Sequence, residues 1–185
     1  MRGILPYKGV FPKVDESVFI APGAWVIGDV VIGERSSVWF NTIVRGDVHY
    51  IRIGSETNIQ DNSMLHVTAG SFFLEIGNRV TIGHRAIVHG CIVEDDCLIG
   101  MGAVVMDGVR IGKGSLVAAG SVVTPGFEAP PGSLVMGAPA NVKKEVGDME
   151  RELIRGAVEH YIELAHDYLH PDELDNGKKI KGFLG

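Results

Sequence analysis

Aromatic residues make up only 7% of this 185-residue chain, and there are just two cysteines and two tryptophans. Two cysteines, Cys91 and Cys97, cannot build a disulfide framework; free thiols in a reducing compartment are expected, with a bond between the two as the alternative. Positive charge is not in excess. The formal net charge of −6 excludes the basic face that nucleic acid or an anionic membrane surface requires. Apolar runs such as Leu98–Met106 fall short of the ~18 residues needed to cross a bilayer, so no membrane partner is expected. Lys8, Lys13, Asp15 and Glu16 interrupt the first segment, so no secretory leader is expected and the cytoplasm is the expected location. What the chain has in plenty is glycine, 25 residues, roughly double the usual share. With 45% hydrophobic and 22% charged residues it is neither disordered nor composed like a helical bundle.

The glycines belong to a repeat. Aliphatic residues recur at every sixth position through Val14, Ile20, Val26, Ile32, Val38 and Val44. A nine-residue step leads to Ile53, Ile59 and Leu65, and an eleven-residue step to Ile76, Ile82 and Val88. A five-residue step then opens the run Val93, Ile99, Val105, Ile111, Val117, Val123. A period of six is neither 3.6 nor 2, so neither a helix nor a simple meander produces it. Each hexapeptide reads as a short strand and a tight corner, its aliphatic residue pointing into a narrow core and glycine serving the corners. This pattern resembles the left-handed parallel β-helix, in which three hexapeptides form one triangular coil. The handedness comes from that resemblance alone. The slots up to Val123 make about six coils, a prism about 29 Å long at the ~4.8 Å strand spacing.

The expected fold is therefore an all-β solenoid, a left-handed parallel β-helix with a C-terminal α-helix. The β-helix with its extensions occupies residues 1–140, a helix packed on the prism 141–170, and a polar tail 171–185. Beyond Val123 the repeat fades through Pro125, Pro130, Pro131 and Pro139. From about Lys144 to Leu169 the period is helical, with Val146, Met149, Leu153, Ala157, Tyr161, Leu164, Ala165 and Tyr168 on one face. His160, His166 and His170 are expected on the helix surface, and Trp25 and Trp39 at interface or helix contacts.

Slot arithmetic sorts the other histidines. Leu65 and Val88 are three slots apart, one full coil, and His66 and His89 each follow their slot by one place. The two imidazoles therefore stack on one outward edge at strand spacing, where a shared metal ion explains them better than core packing does. Arg45, which follows Val44, lies one coil below in the same column. His84 stands two places after Ile82 on a different edge, above Asp61, and cannot reach that metal within one chain. A symmetric trimer of prisms would bring His84 of one copy beside His66 and His89 of the next, and Asp61 against Arg45.

The set Arg45-Gly46-Asp47, Asn58-x-Gln60-Asp61, His66 and His84-x4-His89-Gly90 resembles the gamma-class carbonic anhydrases and their relatives, over about residues 10–170. The resemblance implies a homotrimeric lyase that hydrates carbon dioxide to bicarbonate. Its metal, Zn²⁺ (or Fe²⁺ or Co²⁺), is held by His66 and His89 of one chain and His84 of the next. It further implies that Gln60, held by Asn58, orients the attacking hydroxide. Arg45, Asp47 and Asp61 tie subunits together, and Tyr161 lies near the metal.

Three neutral imidazoles leave a divalent ion its full charge, which suits the activation of water for attack on CO₂. The proton must then leave. Family archetypes carry acidic shuttle residues, whereas residues 67–75 here offer only Glu75 and the position after Asp47 is Val48. Fast turnover is therefore in doubt, and His49 is a candidate relay beside the plainer reading of a solvated corner histidine. Two alternatives compete: a hexapeptide acyltransferase, and a metal-binding or scaffold relative with little turnover.

Overall fold

The computed structural model describes residues 3–173. The chain winds as a parallel β-solenoid of about seven turns with three flat faces, the class that the repeat implied. On the first face Val26, Val44, Leu65, Val88, Val105 and Val123 pair in strict sequence, one coil above another. Val14, Ile32, Ile53, Ile76, Val93 and Ile111 do the same on the second face. The third carries Ile20, Val38, Ile59, Ile82, Ile99 and Val117. Most of these side chains are buried in one continuous core, where each contributes about 1.5–3 kcal/mol of burial.

The repeat runs further than Val123. Ala129 pairs with Ile111 and Val135 with Val117, adding the turn that the prolines obscured. Small polar residues hold the coils together from inside the corners. Ser36, Thr57, Ser63 and Ser115 are buried and donate to carbonyls one coil away, so their hydroxyls cost little to bury.

The irregular steps are corners that have been let out. Strands Trp25–Ile32 and Ile43–Ile53 run through the corner between the first and second faces, with the ladder shifting between Gly28 and Val30. The nine-residue step pushes Asp47–Tyr50 outward there. The eleven-residue step forms a loop pinned by an antiparallel bridge from Thr68 to Phe72. The two insertions meet, Tyr50 stacking on Phe73 at 4.9 Å between ring centroids.

After the last coil, Ser133–Gly137 turns back into Ala140–Glu145 as an antiparallel pair, and the helix α1 (Asp148–Leu169) begins later than the sequence pattern suggests. Residues 140–145, mostly in the stretch assigned to the helical segment, are strand. The packed stripe differs in the first half of α1, which buries Ile154 and Val158 while Met149 and Leu153 stand 84% and 57% exposed; in the second half the expected Tyr161, Leu164, Ala165 and Tyr168 do pack. The physical reason is where α1 lies. Ile154 meets Leu116 and Leu134 on the third face, and this docking selects the stripe next to the expected one. Further along, Trp39 receives Tyr161 and Tyr168 edge-on at 5.1 and 5.6 Å, so α1 packs on its own prism. His160, His166 and His170 are on the exposed side of the C-terminal segment. The tail beyond residue 173 lies outside the described residues. No helix among them is long and apolar enough to cross a membrane.

Glu150 closes the start of α1 by accepting from the Gly147 N–H at 2.8 Å and pairing with Lys144 at 2.6 Å. Lys144 first, and then the Gly147 N–H, hold its carboxyl below the usual range. A lowered carboxylate stabilises above its ordinary pKa and loses that contribution as the pH falls through the lowered value. Glu150→Ala should therefore speed amide exchange over residues 147–151 at neutral pH, and wild type should approach the variant in acid.

Candidate metal centre

His66 and His89 sit side by side on the first face in direct register, at the ends of strands Met64–His66 and Ile87–His89. Their rings face each other, with Nδ1 of His66 at 3.0 Å from Nε2 of His89. Each ring uses its other nitrogen on a carboxylate. Nε2 of His66 lies 3.0 Å from Asp47 Oδ1, and Nδ1 of His89 lies 2.6 Å from Asp107 Oδ1. A carboxylate only accepts, so those ring nitrogens carry the protons, and the two nitrogens that face each other carry lone pairs. Two lone pairs at 3.0 Å repel unless a proton or a metal ion lies between them. In a tetrahedral zinc site, Zn–N bonds of 2.0–2.1 Å place neighbouring nitrogens about 3.3 Å apart, so this pair fits a metal ion closely.

His84 shows the same pattern on the corner between the third and first faces. Its Nδ1 lies 2.9 Å from Asp61 Oδ2, which leaves Nε2 bare apart from the Tyr161 hydroxyl at 3.3 Å. Burial, and then the Asp61 charge, push the Tyr161 phenol up, so it stays protonated and donates. All three histidines therefore hold one ring N–H on a carboxylate and offer the second nitrogen, the arrangement that orients imidazole ligands. Among the described residues of one chain, no group of three such side chains is arranged to hold a metal ion. His84 stays apart from the other two.

Around His84 the polar contacts fix every atom. Gln60 Oε1 accepts from the His84 backbone N–H at 3.1 Å, Gln60 Nε2 donates to Asn58 Oδ1 at 3.1 Å, and Asn58 Nδ2 donates to Thr81 Oγ1 at 2.9 Å. Asn58 and Gln60 are buried, so the orientation of the Gln60 amide is set. Around His66, Arg45 pairs with Asp47 at 2.5 Å. Desolvation raises the Asp47 carboxyl, but hydrogen bonds from Arg45 and His66 outweigh it and leave it below the usual range. Burial pushes the His66 imidazole down, toward the neutral form that a cation needs.

Within the chain Arg45 and Asp61 have separate partners, Asp47 and His84. Glu75 accepts from the Tyr50 hydroxyl at 3.1 Å, and His49 is occupied with the Tyr50 N–H at 2.8 Å and the Tyr50 and Phe73 rings. Cys91 and Cys97 are free, buried thiols, both pushed up by burial, Cys97 to about 12. Asp107 escaped the sequence reading because it stands two places after its slot, one place off the histidine column. The five-residue step from Val88 to Val93 shortens the corner below it, so Asp107 leans over Gly90.

Residues on coils of this kind define a hexapeptide-repeat protein, and residues 90–125 match the family model described as bacterial transferase hexapeptide (six repeats). A hexapeptide transferase family protein from Anaplasma phagocytophilum has a similar crystal structure, with TM-score 0.85 and 41% identity over 91% of this chain and 99% of that one. The carbonic anhydrase of Geobacillus kaustophilus is 44% identical over 165 residues, 89% of this chain and 90% of that protein. Gamma carbonic anhydrase 2, mitochondrial, of Arabidopsis thaliana is 45% identical over 167 residues, 88% of this chain. The chain belongs to the gamma carbonic anhydrase family. It spans 59% and 58% of the length of the two plant relatives it matches first.

Gly90 has a φ of +51°, and a Cβ there would stand 2.2 Å from Asp107 Oδ1. Gly102 has a φ of +67° with nothing within 4 Å of an added Cβ. Gly102→Ala should cost only the backbone strain, about 1 kcal/mol. Gly90→Ala carries the same strain and displaces Asp107 as well, so denaturant titration should show the larger loss for Gly90→Ala. Equal losses would mean Asp107 has room to move.

Proposed function

We propose that this protein is an enzyme catalysing the reversible hydration of carbon dioxide to bicarbonate at a divalent-metal site shared between subunits of a homotrimer. The observation that carries the proposal is the common state of His66, His84 and His89, distributed over two edges of the prism: one nitrogen is on a carboxylate, and the other meets no carboxylate or backbone group, His66 and His89 facing each other and His84 facing only the Tyr161 hydroxyl. His66 and His89 would hold the ion from one copy and His84 from its neighbour. Zn²⁺ is the metal proposed, with Fe²⁺ and Co²⁺ as alternatives the same donors accept. Bound by three neutral imidazoles, the ion would keep its double charge and lower the pKa of a water molecule toward ~7.

The first face also supports a second copy as its partner. Beside the histidine column runs an outward apolar stripe of Trp25, Ile43, Met64, Ile87, Val104 and Val122, spanning the prism coil by coil. Trp25 and Ile87 are each 44% exposed in the single chain, and a neighbouring prism would cover them. Arg45, one guanidinium nitrogen already on Asp47, has others to offer Asp61 of a neighbouring copy.

The remaining roles follow from the fixed amide. Gln60 presents its oxygen, which accepts from the His84 N–H and has a second lone pair for the hydroxide hydrogen. Held so, the nucleophile aims its own lone pair at the carbon of CO₂. Tyr161 keeps its proton and its place beside His84, lining the site from α1. Glu75 is tied to Tyr50 on the second face, so residues 67–75 supply no acid to carry the proton away. Two free, buried thiols suit the reducing cytoplasm, which belongs to the same proposal. The acyltransferase reading needs one histidine as a base and leaves the face-to-face pair of His66 and His89 without a purpose.

Light scattering of the metal-replete protein should give three chain masses, and replacing any one of His66, His84 or His89 by Ala should abolish bound metal and hydration alike. A monomer retaining one metal per chain would overturn the shared site.

Gln60→Ala should keep its metal yet lose ~10²–10³ in hydration rate, the usual cost of one orienting hydrogen bond. Wild-type turnover should rise with buffer concentration, because proton export lacks a dedicated acid. Metal-replete protein without any CO₂ hydration would assign the chain to the binding or scaffold class.

A further inference from the structure

We infer that Asp107 is a positioning residue for the metal centre, holding the His89 ring with Nδ1 protonated and Nε2 bare, and that Thr68 braces Asp107 from the opposite side. The inference rests on the three-histidine reading above and adds two residues from outside its motif. Asp107 uses both carboxylate oxygens: Oδ1 takes His89 Nδ1–H at 2.6 Å, and Oδ2 takes the Thr68 hydroxyl at 2.9 Å. With both oxygens engaged, the carboxylate has one orientation.

The surroundings are shaped to that contact. Gly90 leaves the volume that Asp107 Oδ1 enters, since any Cβ there would meet the oxygen at 2.2 Å. Gly108 N–H donates to the Gly90 carbonyl at 2.8 Å and ties the two corners together. Thr68 is itself locked, its N–H donating to the Phe72 carbonyl at 3.0 Å and its carbonyl accepting from the Phe72 N–H at 3.2 Å. Phe72 then covers Gly90, its Cβ 2.7 Å from where a Gly90 Cβ would stand. The loop of residues 67–75, which lacks a proton-shuttling acid, thus serves as a clamp on a histidine of the site.

The chemical consequence concerns the tautomer. A neutral imidazole carries one proton, and an acceptor at Nδ1 keeps it there, leaving Nε2 as a lone pair toward His66. Without Asp107 the proton is free to sit on Nε2, where it occupies the nitrogen a metal would use. Hydrogen-bond partners of ligating histidines typically contribute 10–100-fold to metal affinity.

The test reads the tautomer directly. Metal-free protein with ¹⁵N-labelled histidine, at mildly alkaline pH, should show His89 as the Nδ1–H form by long-range ¹H–¹⁵N correlation. Asp107→Ala should shift it toward Nε2–H and weaken Zn²⁺ binding about 10–100-fold in chelator competition. Asp107→Asn keeps an acceptor oxygen, so it should restore the Nδ1–H form and most of the affinity. Thr68→Val, which leaves the carboxylate present but unbraced, should give a smaller loss with the same sign. An unchanged His89 tautomer and unchanged Zn²⁺ affinity in Asp107→Ala would overturn the inference. If wild type took up no Zn²⁺ while Asp107→Ala still moved the tautomer, the metal reading would fall and the positioning role would stand.

Discussion

The parallel hydrogen-bonded ladder between successive coils is the constraint on which the rest depends. Because each coil repeats the one below at strand spacing, a side chain's neighbours are set by what stands one coil away. That geometry places the His66 and His89 rings in register, with 3.0 Å between facing nitrogens. The core beneath supplies the rigidity: Leu65 and Val88, the slots that carry the two histidines, are fully buried.

The His84 side of the site lies on regular hexapeptides, whereas the contacts of His66 and His89 gather where the hexapeptide count is broken. The three extra residues after Val44 turn Asp47 back onto His66. The five extra residues after Leu65 bring Thr68 across to Asp107, and the missing residue after Val88 opens the hollow at Gly90 into which Asp107 reaches. Of the three carboxylates on histidines, Asp47 stands in an insertion, whereas Asp61 and Asp107 stand on regular hexapeptides.

The proposed centre would suit a cation electrostatically. Asp47, Asp61 and Asp107 each take a ring N–H of one histidine, so negative charge surrounds nitrogens that carry no proton. Burial keeps His66 toward its neutral form, and the Tyr161 phenol stays protonated. The same acids that orient the rings would also favour a positive charge between them. Arg45 pairs with Asp47 and offsets part of the negative charge there.

The repeat made the three faces, the inward slots and the stacking of His66 on His89 legible from residue spacing alone, because a fixed period in a solenoid is a spatial coordinate. It also placed His84 on another edge, above Asp61. Three things were not read from it. Ala129 and Val135 keep the step of six from Val123, but the prolines between them obscured it, and α1 docks its first half by Ile154 and Val158, because the choice between adjacent helical stripes is made by the surface that receives them. Asp107 was likewise hidden, since it stands one place off the histidine column and reaches His89 only because the corner below it, at Gly90, is one residue short. Only the folded chain decides such contacts: spacing counts positions along the coil, whereas a corner that gains or loses a residue changes where its neighbours point.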